Sequence, residues 1–214
     1  NLLAFAIAVI LLPRSDVKKM AATPPLSFLD MRRSGNMVGL FSFRLAVALG
    51  RSSFFTFLPL FAAMRLGLPE NFIGILISVH VLLISLLGVL GGKGYLICNR
   101  RALVIIGWLV IFTYLLLIPL APGFWPLMAL CILGSIGSAV STPAVLAMTV
   151  EEGRKYGMGS AIAAITMALS IGMAMGPIIS GALVDSADIN AAFYFSAGLA
   201  LVGGALFFFF TRSN

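Results

Sequence analysis

The stretch from Ser170 to Asp185 reads SIGMAMGPIISGALVD and places three glycines and a proline within an otherwise apolar run. In a water-soluble protein, glycine and proline at this density indicate a turn. Apolar chain precedes this stretch and resumes soon after it, however, so a turn explains it poorly. Whether the segment is a turn or a helix depends on the solvent that surrounds it.

Composition identifies that solvent as lipid. Hydrophobic residues make up 61% of the 214 residues, charged residues make up 10%, and the mean hydropathy is +1.11, which lies far outside the usual range of soluble domains. The net charge of +7 comes from Lys and Arg in short connections between apolar runs. A basic face interleaved with aromatics is missing, so no nucleic-acid partner is expected. The two cysteines suggest neither a disulfide framework nor a metal site. We therefore predict an integral membrane protein without a cofactor.

Apolar run lengths predict the fold class. A helix needs about 20 apolar residues to cross a hydrocarbon core about 30 Å thick. Six runs approach or exceed this length. They predict an all-α integral membrane protein with a six-transmembrane-helix bundle over residues 38–63, 70–91, 102–120, 125–149, 158–184 and 190–210.

The chain before these runs divides into two parts. Residues 1–12 contain an apolar run, Leu2 to Leu12, that is too short to span a bilayer. A signal peptide would need a basic start and small residues at a cleavage site. Neither is present, so we interpret residues 1–12 as the truncated end of a transmembrane helix. Residues 13–37 are then a cytoplasmic loop, and residues 38–214 contain the bundle.

Loop charges predict the orientation. Basic residues concentrate in residues 13–37, 92–101 and 154–155. The alternate loops hold one basic residue, Arg65, together with the acidic residues Glu70, Asp185 and Asp188. The positive-inside rule places the basic loops in the cytoplasm. Residues 151–155 are predicted to form a solvated cytoplasmic turn.

One face of the fifth run carries small side chains at every fourth position, namely Ser160, Ala164, Ala168, Gly172, Gly176 and Ser180. Lipid removes the hydrophobic drive for helix pairing, so close backbone approach through small residues becomes a main source of packing energy. We expect a neighbouring helix to lie almost against this face, and Pro177 to weaken a backbone hydrogen bond there. The alternative is that the stripe serves packing alone.

Two motifs resemble those of major facilitator superfamily transporters. Residues 172–181, GMAMGPIISG, resemble the GxxxGPxxGG signature, with Ser180 replacing one glycine. Residues 92–101, GKGYLICNRR, are similar to the family's G-x-x-x-D-R-x-G/N-R-R loop, with Leu96 and Ile97 at the Asp and Arg positions. The matched residues are Gly172, Gly176, Pro177 and Gly181 for helix packing and gating, and Gly92, Asn99, Arg100 and Arg101 for the cytoplasmic loop.

The resemblance implies helices 7–12 of a twelve-helix transporter, because six spans follow a long basic loop. It further implies inverted three-helix repeats and alternating access at a midplane site. Gly88 and Gly92 of the second span would then correspond to Gly172 and Gly176 of the fifth. The implied partners are a small-molecule substrate, the amino-terminal half of the same transporter and the lipid bilayer. We expect a secondary carrier of a small molecule, such as an efflux protein or an organic-anion or metabolite carrier, in a bacterial inner membrane.

Three residues inside the spans are candidates for substrate binding, because charged and polar groups are costly in hydrocarbon. Arg51 lies near the middle of the first span, and Arg44 shares its helical face nearer the cytoplasm. With no acidic residue deep in any span, Arg51 is expected to contact an anionic or strongly polar substrate, or else to snorkel or pair with another helix. His80, the sole histidine, is a candidate proton site as well as an ordinary interhelical hydrogen-bonding group.

The sequence lacks the residues that an enzymatic function would need. Residues 91–94, GGKG, resemble a phosphate loop only superficially, since no Ser or Thr follows Lys93 and no strand precedes it. One histidine and no membrane-embedded acid leave no triad, carboxylate pair or metal cluster. The alternative to transport is a transporter-like membrane protein that serves as an assembly or structural subunit. Leu96 and Ile97 in the loop favour that alternative.

Overall fold

The computed structural model describes residues 34–91 and 99–211. Six α-helices within these ranges are long and apolar enough to cross a membrane, which confirms the predicted spans. They are α1 (Gly35–Leu66), α2 (Glu70–Gly91), α3 (Arg100–Leu117), α4 (Phe124–Tyr156), α5 (Met158–Ser186) and α6 (Asn190–Thr211). The predicted helix end at residues 1–12, most of the predicted loop at 13–37, and Gly92 lie outside the described residues.

Local chemistry explains several helix boundaries. The Ser34 hydroxyl accepts a hydrogen bond from the backbone N–H of Met37 at 3.4 Å, which satisfies one of the donors that a helix start leaves open. α1 stops at Gly67, whose φ of 61° lies in the left-handed region that glycine adopts without strain. The Asn99 side chain caps α3 by accepting from the N–H of Arg101 at 3.1 Å.

Two helices end differently from the prediction. Residues 151–155 are not a turn, because α4 continues through them to Tyr156 and the chain changes direction at Gly157, with a φ of 95°. The length of an apolar run indicates how much of the chain lies in the bilayer. A helix can continue beyond that run into water, as long as its backbone hydrogen bonds are made. In the third span, the α-helix stops at Leu117 and a 3-10 turn covers Ile118–Leu120. Pro119 explains this change, since it lacks the N–H that would continue the α-helix.

The helices pack as two interleaved groups of three. α1 packs mainly against α5 and α6, whereas α4 packs mainly against α2 and α3. If α1, α2 and α3 are exchanged for α4, α5 and α6, these main contacts map onto one another. This is the pattern that inverted three-helix repeats produce. Contacts between α3 and α6 and between α4 and α5 close the bundle.

Two hydrophobic clusters fill the bundle, one towards each end of α1. The first includes Leu40, Phe43 and Phe207. The second includes Phe61 and Phe193. Along α1, the first cluster reaches residue 47 and the second begins at residue 54. The segment between them contains an arginine, and the polar site lies there.

Candidate functional site

Arg51 lies at the midpoint of α1. Sixteen residues separate it from Gly35 and fifteen from Leu66, which at 1.5 Å per residue places it about 24 Å from either end. An unpaired charge at that depth is most costly. Its side chain is exposed on this chain, and its Cζ lies 5.5 Å from the centroid of the Phe55 ring.

No carboxylate neutralises Arg51 within the described residues. The acidic side chains there lie at helix ends or in connections, namely Glu70, Glu151, Glu152, Asp185 and Asp188. The ion pairs found among the described residues are Arg65 with Asp188, Arg100 with Glu151, and Lys155 with Glu152. Among residues 34–91 and 99–211, Arg51 is therefore an uncompensated positive charge in the middle of the span.

Arg51 borders a small polar recess between the helices. The recess has a volume of about 30 Å³, which holds about one or two water molecules and no organic solute. The polar side chains that line the recess come from five helices and are Arg44, Arg51, His80, Tyr114, Ser138, Ser141, Thr142 and Ser196. The structure thus brings the three predicted substrate-binding residues to one place.

Arg44 lines the recess two helical turns from Arg51, towards the start of α1. Its Nε is buried and has no hydrogen-bond acceptor in the described part of the chain. A guanidinium is always protonated in a protein, so this is a charged donor left unsatisfied. Such a group costs more free energy than an unpaired neutral one.

Three hydroxyls of α4 also face the recess, those of Ser138, Ser141 and Thr142. Other hydroxyls of α4 donate to the carbonyl four residues earlier, as Ser135 does to Cys131 at 2.7 Å. The three recess hydroxyls make no hydrogen bond within residues 34–91 and 99–211. Their hydrogen-bonding capacity is therefore open on the recess side.

His80 joins α2 to α4 from a buried position. Its Nδ1 lies 2.8 Å from the carbonyl oxygen of Cys131 and 2.9 Å from Oγ of Ser135. Because a carbonyl oxygen only accepts, Nδ1 carries the proton in the first bond. The rings of Phe54 and Tyr114 pack around the imidazole. Nε2 makes no hydrogen bond within the described residues, so its lone pair is uncommitted.

The small-residue stripe of α5 packs against α1. A Cβ at Gly172 would lie 2.5 Å from the Cβ of Ala48 and 2.8 Å from the carbonyl oxygen of Leu45. A Cβ at Gly176 would lie 2.5 Å from the carbonyl oxygen of Leu49. Both distances are shorter than a methyl group allows, so the prediction of close backbone approach is confirmed at these two glycines.

The remaining motif residues of α5 behave differently. A Cβ at Gly181 would come no closer than 3.9 Å to the Phe57 ring, so this glycine is not required for close packing. α5 runs unbroken through Pro177. In α2, a Cβ at Gly88 would meet nothing within 4 Å, so Gly88 does not repeat the packing role of Gly172.

The comparison with known families decides between the classes of membrane protein. Residues 40–214 match the profile described as Major Facilitator Superfamily. The chain belongs to the major facilitator superfamily. Its six helices are one six-helix unit of the fold, and it is a multi-pass integral membrane protein.

A longer protein is similar to this superfamily chain. An uncharacterised MFS-type transporter of Methanocaldococcus jannaschii is 25% identical over 191 residues, which cover 89% of this chain and 48% of the relative. The chain therefore spans about half the length of the curated relative that it matches.

The loop motif of this superfamily member is partly described. Beyond the cap made by Asn99, Arg100 forms an ion pair with Glu151 at the end of α4. Arg101 lines a cleft of about 670 Å³ between the start of α3 and the end of α4. Nothing in the sequence reveals that α4 brings Glu151 beside this loop.

Two further contacts of this superfamily chain were not predicted. The Glu152 carboxylate accepts hydrogen bonds from Ser34 at 3.1 Å and from Asn36 at 3.0 Å, which ties the end of α4 to the start of α1. A Cβ at Gly107 would lie 2.7 Å from the carbonyl oxygen of Gly137, so α3 and α4 also pack through glycines. Single glycines without a four-residue repeat give no recognisable signal in the sequence.

Proposed function

We propose that this chain is the carboxy-terminal half of a secondary transporter that moves a small anionic or strongly polar solute across the inner membrane by alternating access. The observation that carries the proposal is Arg51, a mid-membrane charge without a carboxylate partner within the described residues. A charge in this position is costly unless it has a function.

The second support is the geometry around Arg51. The recess that it borders is polar and lies between two hydrophobic clusters, at the depth where substrate sites of such carriers occur. The recess holds no solute by itself, so the rest of the binding site comes from the other half of the protein. The exposed side chain of Arg51 is available to that half or to a solute between the two halves.

A proton gradient is proposed as the driving force, with His80 as the titrating group. The imidazole lines the recess, and its Nδ1–H is already committed to the Cys131 carbonyl. A proton taken up at Nε2 would leave that hydrogen bond intact. The charged or titratable residues beside it are Arg51 of α1, Tyr114 of α3 and Cys131 of α4.

The test is transport by the full-length protein in sealed proteoliposomes. Anionic, neutral and cationic solutes are compared with and without an imposed proton gradient. Arg51→Ala is expected to lower the rate for the transported anion by about ten-fold or more, equivalent to about 1.4 kcal/mol, while membrane abundance stays close to wild type. Arg65→Ala is the matched control, because it removes an exposed Arg whose ion pair with Asp188 lies outside the bilayer centre.

The alternative function is an assembly or structural subunit that does not transport, favoured by Leu96 and Ile97 in the loop. If the correctly folded protein moves no solute in any arm, that alternative replaces the proposal. If Arg51→Ala lowers abundance and rate equally, Arg51 has a structural role.

A further inference from the structure

The polar recess contains two positive charges that no carboxylate balances within the described residues. Arg44 and Arg51 are seven residues apart on α1, a separation of two turns, or about 10 Å along the axis. Residues two turns apart lie on the same face of a helix. Both side chains line the recess, so both are placed to contact a solute bound between this recess and the other half of the protein.

The unsatisfied Nε of Arg44 shows that the charge of this residue is not balanced by packing. The group is buried, and an acceptor for it is missing from residues 34–91 and 99–211. Buried polar groups are nearly always hydrogen-bonded, and an exception calls for an explanation such as a ligand. Here the missing partner is an acceptor.

The facing wall supplies further hydrogen-bond donors. Ser138, Ser141 and Thr142 occupy positions i, i+3 and i+4 of α4, and therefore share one face. Each lines the recess, and none makes a hydrogen bond within the described residues. Two guanidinium groups and three hydroxyls thus surround a recess whose described lining contains no carboxylate. This is an environment for an anion with several acceptor oxygens.

The presence of two positive charges also indicates what charge the anion carries. A monoanion would compensate one guanidinium and leave the other unpaired at membrane depth, whereas a dianion compensates both. We propose that Arg44 and Arg51 together bind one small dianion, such as a dicarboxylate or a phosphate monoester, and that the α4 hydroxyls donate to its remaining oxygens. This inference rests on the proposed transport function and names its substrate class.

The experiment uses the full-length protein in proteoliposomes and solutes matched in size but not in charge. The probes are succinate, its monoamide and its diamide, together with glycerol phosphate and glycerol. At least one dianion is expected to move about ten-fold faster than its less charged analogues. Arg44→Gln should remove about ten-fold of that rate, since it deletes one charge-assisted contact. Arg44→Lys should restore part of it, because the charge remains.

A second readout separates binding from folding. The Arg44→Gln protein should run as a single species in size-exclusion chromatography, and its preference for the dianion over the monoamide should be smaller than that of wild type. Faster movement of the monoamide than of either dianion, or an equal effect of Arg44→Gln on both, would overturn the dianion assignment while leaving the transport function in place. Movement of neutral or cationic solutes alone would overturn it too. If no solute moves, the proposed function fails and this inference fails with it.

Discussion

At the scale of single residues, the membrane environment determines which side chains indicate a function. Arg51 could be found from sequence because a charge in the middle of an apolar run has no cheap explanation. For Ser135, Ser138, Ser141 and Thr142, the sequence allows either the lining of a water-filled path or hydrogen bonds across helices, and it does not separate the two. Serine and threonine are common in membrane helices and usually bond to their own backbone. Only the structure reveals that Ser138, Ser141 and Thr142 do not, while Ser135 and Thr149 on the same helix do.

His80 can be tested by a substitution that keeps its hydrogen bond but removes its titration. In His80→Asn, the amide nitrogen takes the place of Nδ1 and can still donate to the Cys131 carbonyl. We expect the unfolding temperature to stay near wild type and the response of transport to an imposed pH gradient to disappear. His80→Ala should lower stability as well, by about 2–4 kcal/mol, because it leaves a cavity and an unmade bond.

The measurement is solute uptake by the full-length protein in proteoliposomes at several imposed pH gradients, alongside thermal unfolding. A well-folded His80→Asn protein with unchanged gradient dependence would leave His80 the purely structural role of joining α2 to α4.

At the scale of helices, length and apolarity predicted all six spans. They succeed because lipid forces every backbone group to be satisfied within its own helix, so each span must show as one long run. Which helices pair could be predicted only where small residues repeat, as in α5. The glycine contact between Gly107 and Gly137 follows from three-dimensional register, which neither run alone encodes. The sequence did not predict the extension of α4 beyond the bilayer, because a helix outside lipid need not be apolar.

The contact between α5 and α1 allows a prediction with a control on the same helix. Gly172→Ala would place a methyl group 2.5 Å from the Cβ of Ala48, and separating the helices should cost about 1–3 kcal/mol. Gly181→Ala has 3.9 Å of room beside Phe57, so its stability should stay within about 0.5 kcal/mol of wild type. Thermal unfolding of the full-length protein in detergent measures both. Equal stability of the two variants would show that α5 does not depend on the glycine at 172.

At the scale of the whole molecule, polar contacts lie at the two ends of the bundle. At one end, Asn36, Arg101 and Arg154 line the same cleft, so the start of α1 meets the start of α3 and the end of α4. At the other end, Arg65 pairs with Asp188 between the end of α1 and the α5–α6 connection. The 32 residues of α1 separate these ends by about 48 Å, enough to place them on opposite sides of a bilayer.

This separation predicts the topology. In the full-length protein with every native cysteine replaced by alanine, Cys98 and Cys131 included, Arg154→Cys and Ser186→Cys introduce single thiols at exposed positions near opposite ends. The basic end belongs in the cytoplasm by the positive-inside rule. A membrane-impermeant maleimide should therefore label the Ser186→Cys protein in intact cells, and the Arg154→Cys protein only after the membrane is opened. Labelling of both in intact cells would contradict six complete crossings, and the reverse pattern would invert the orientation and place the Arg100–Glu151 pair on the outer face.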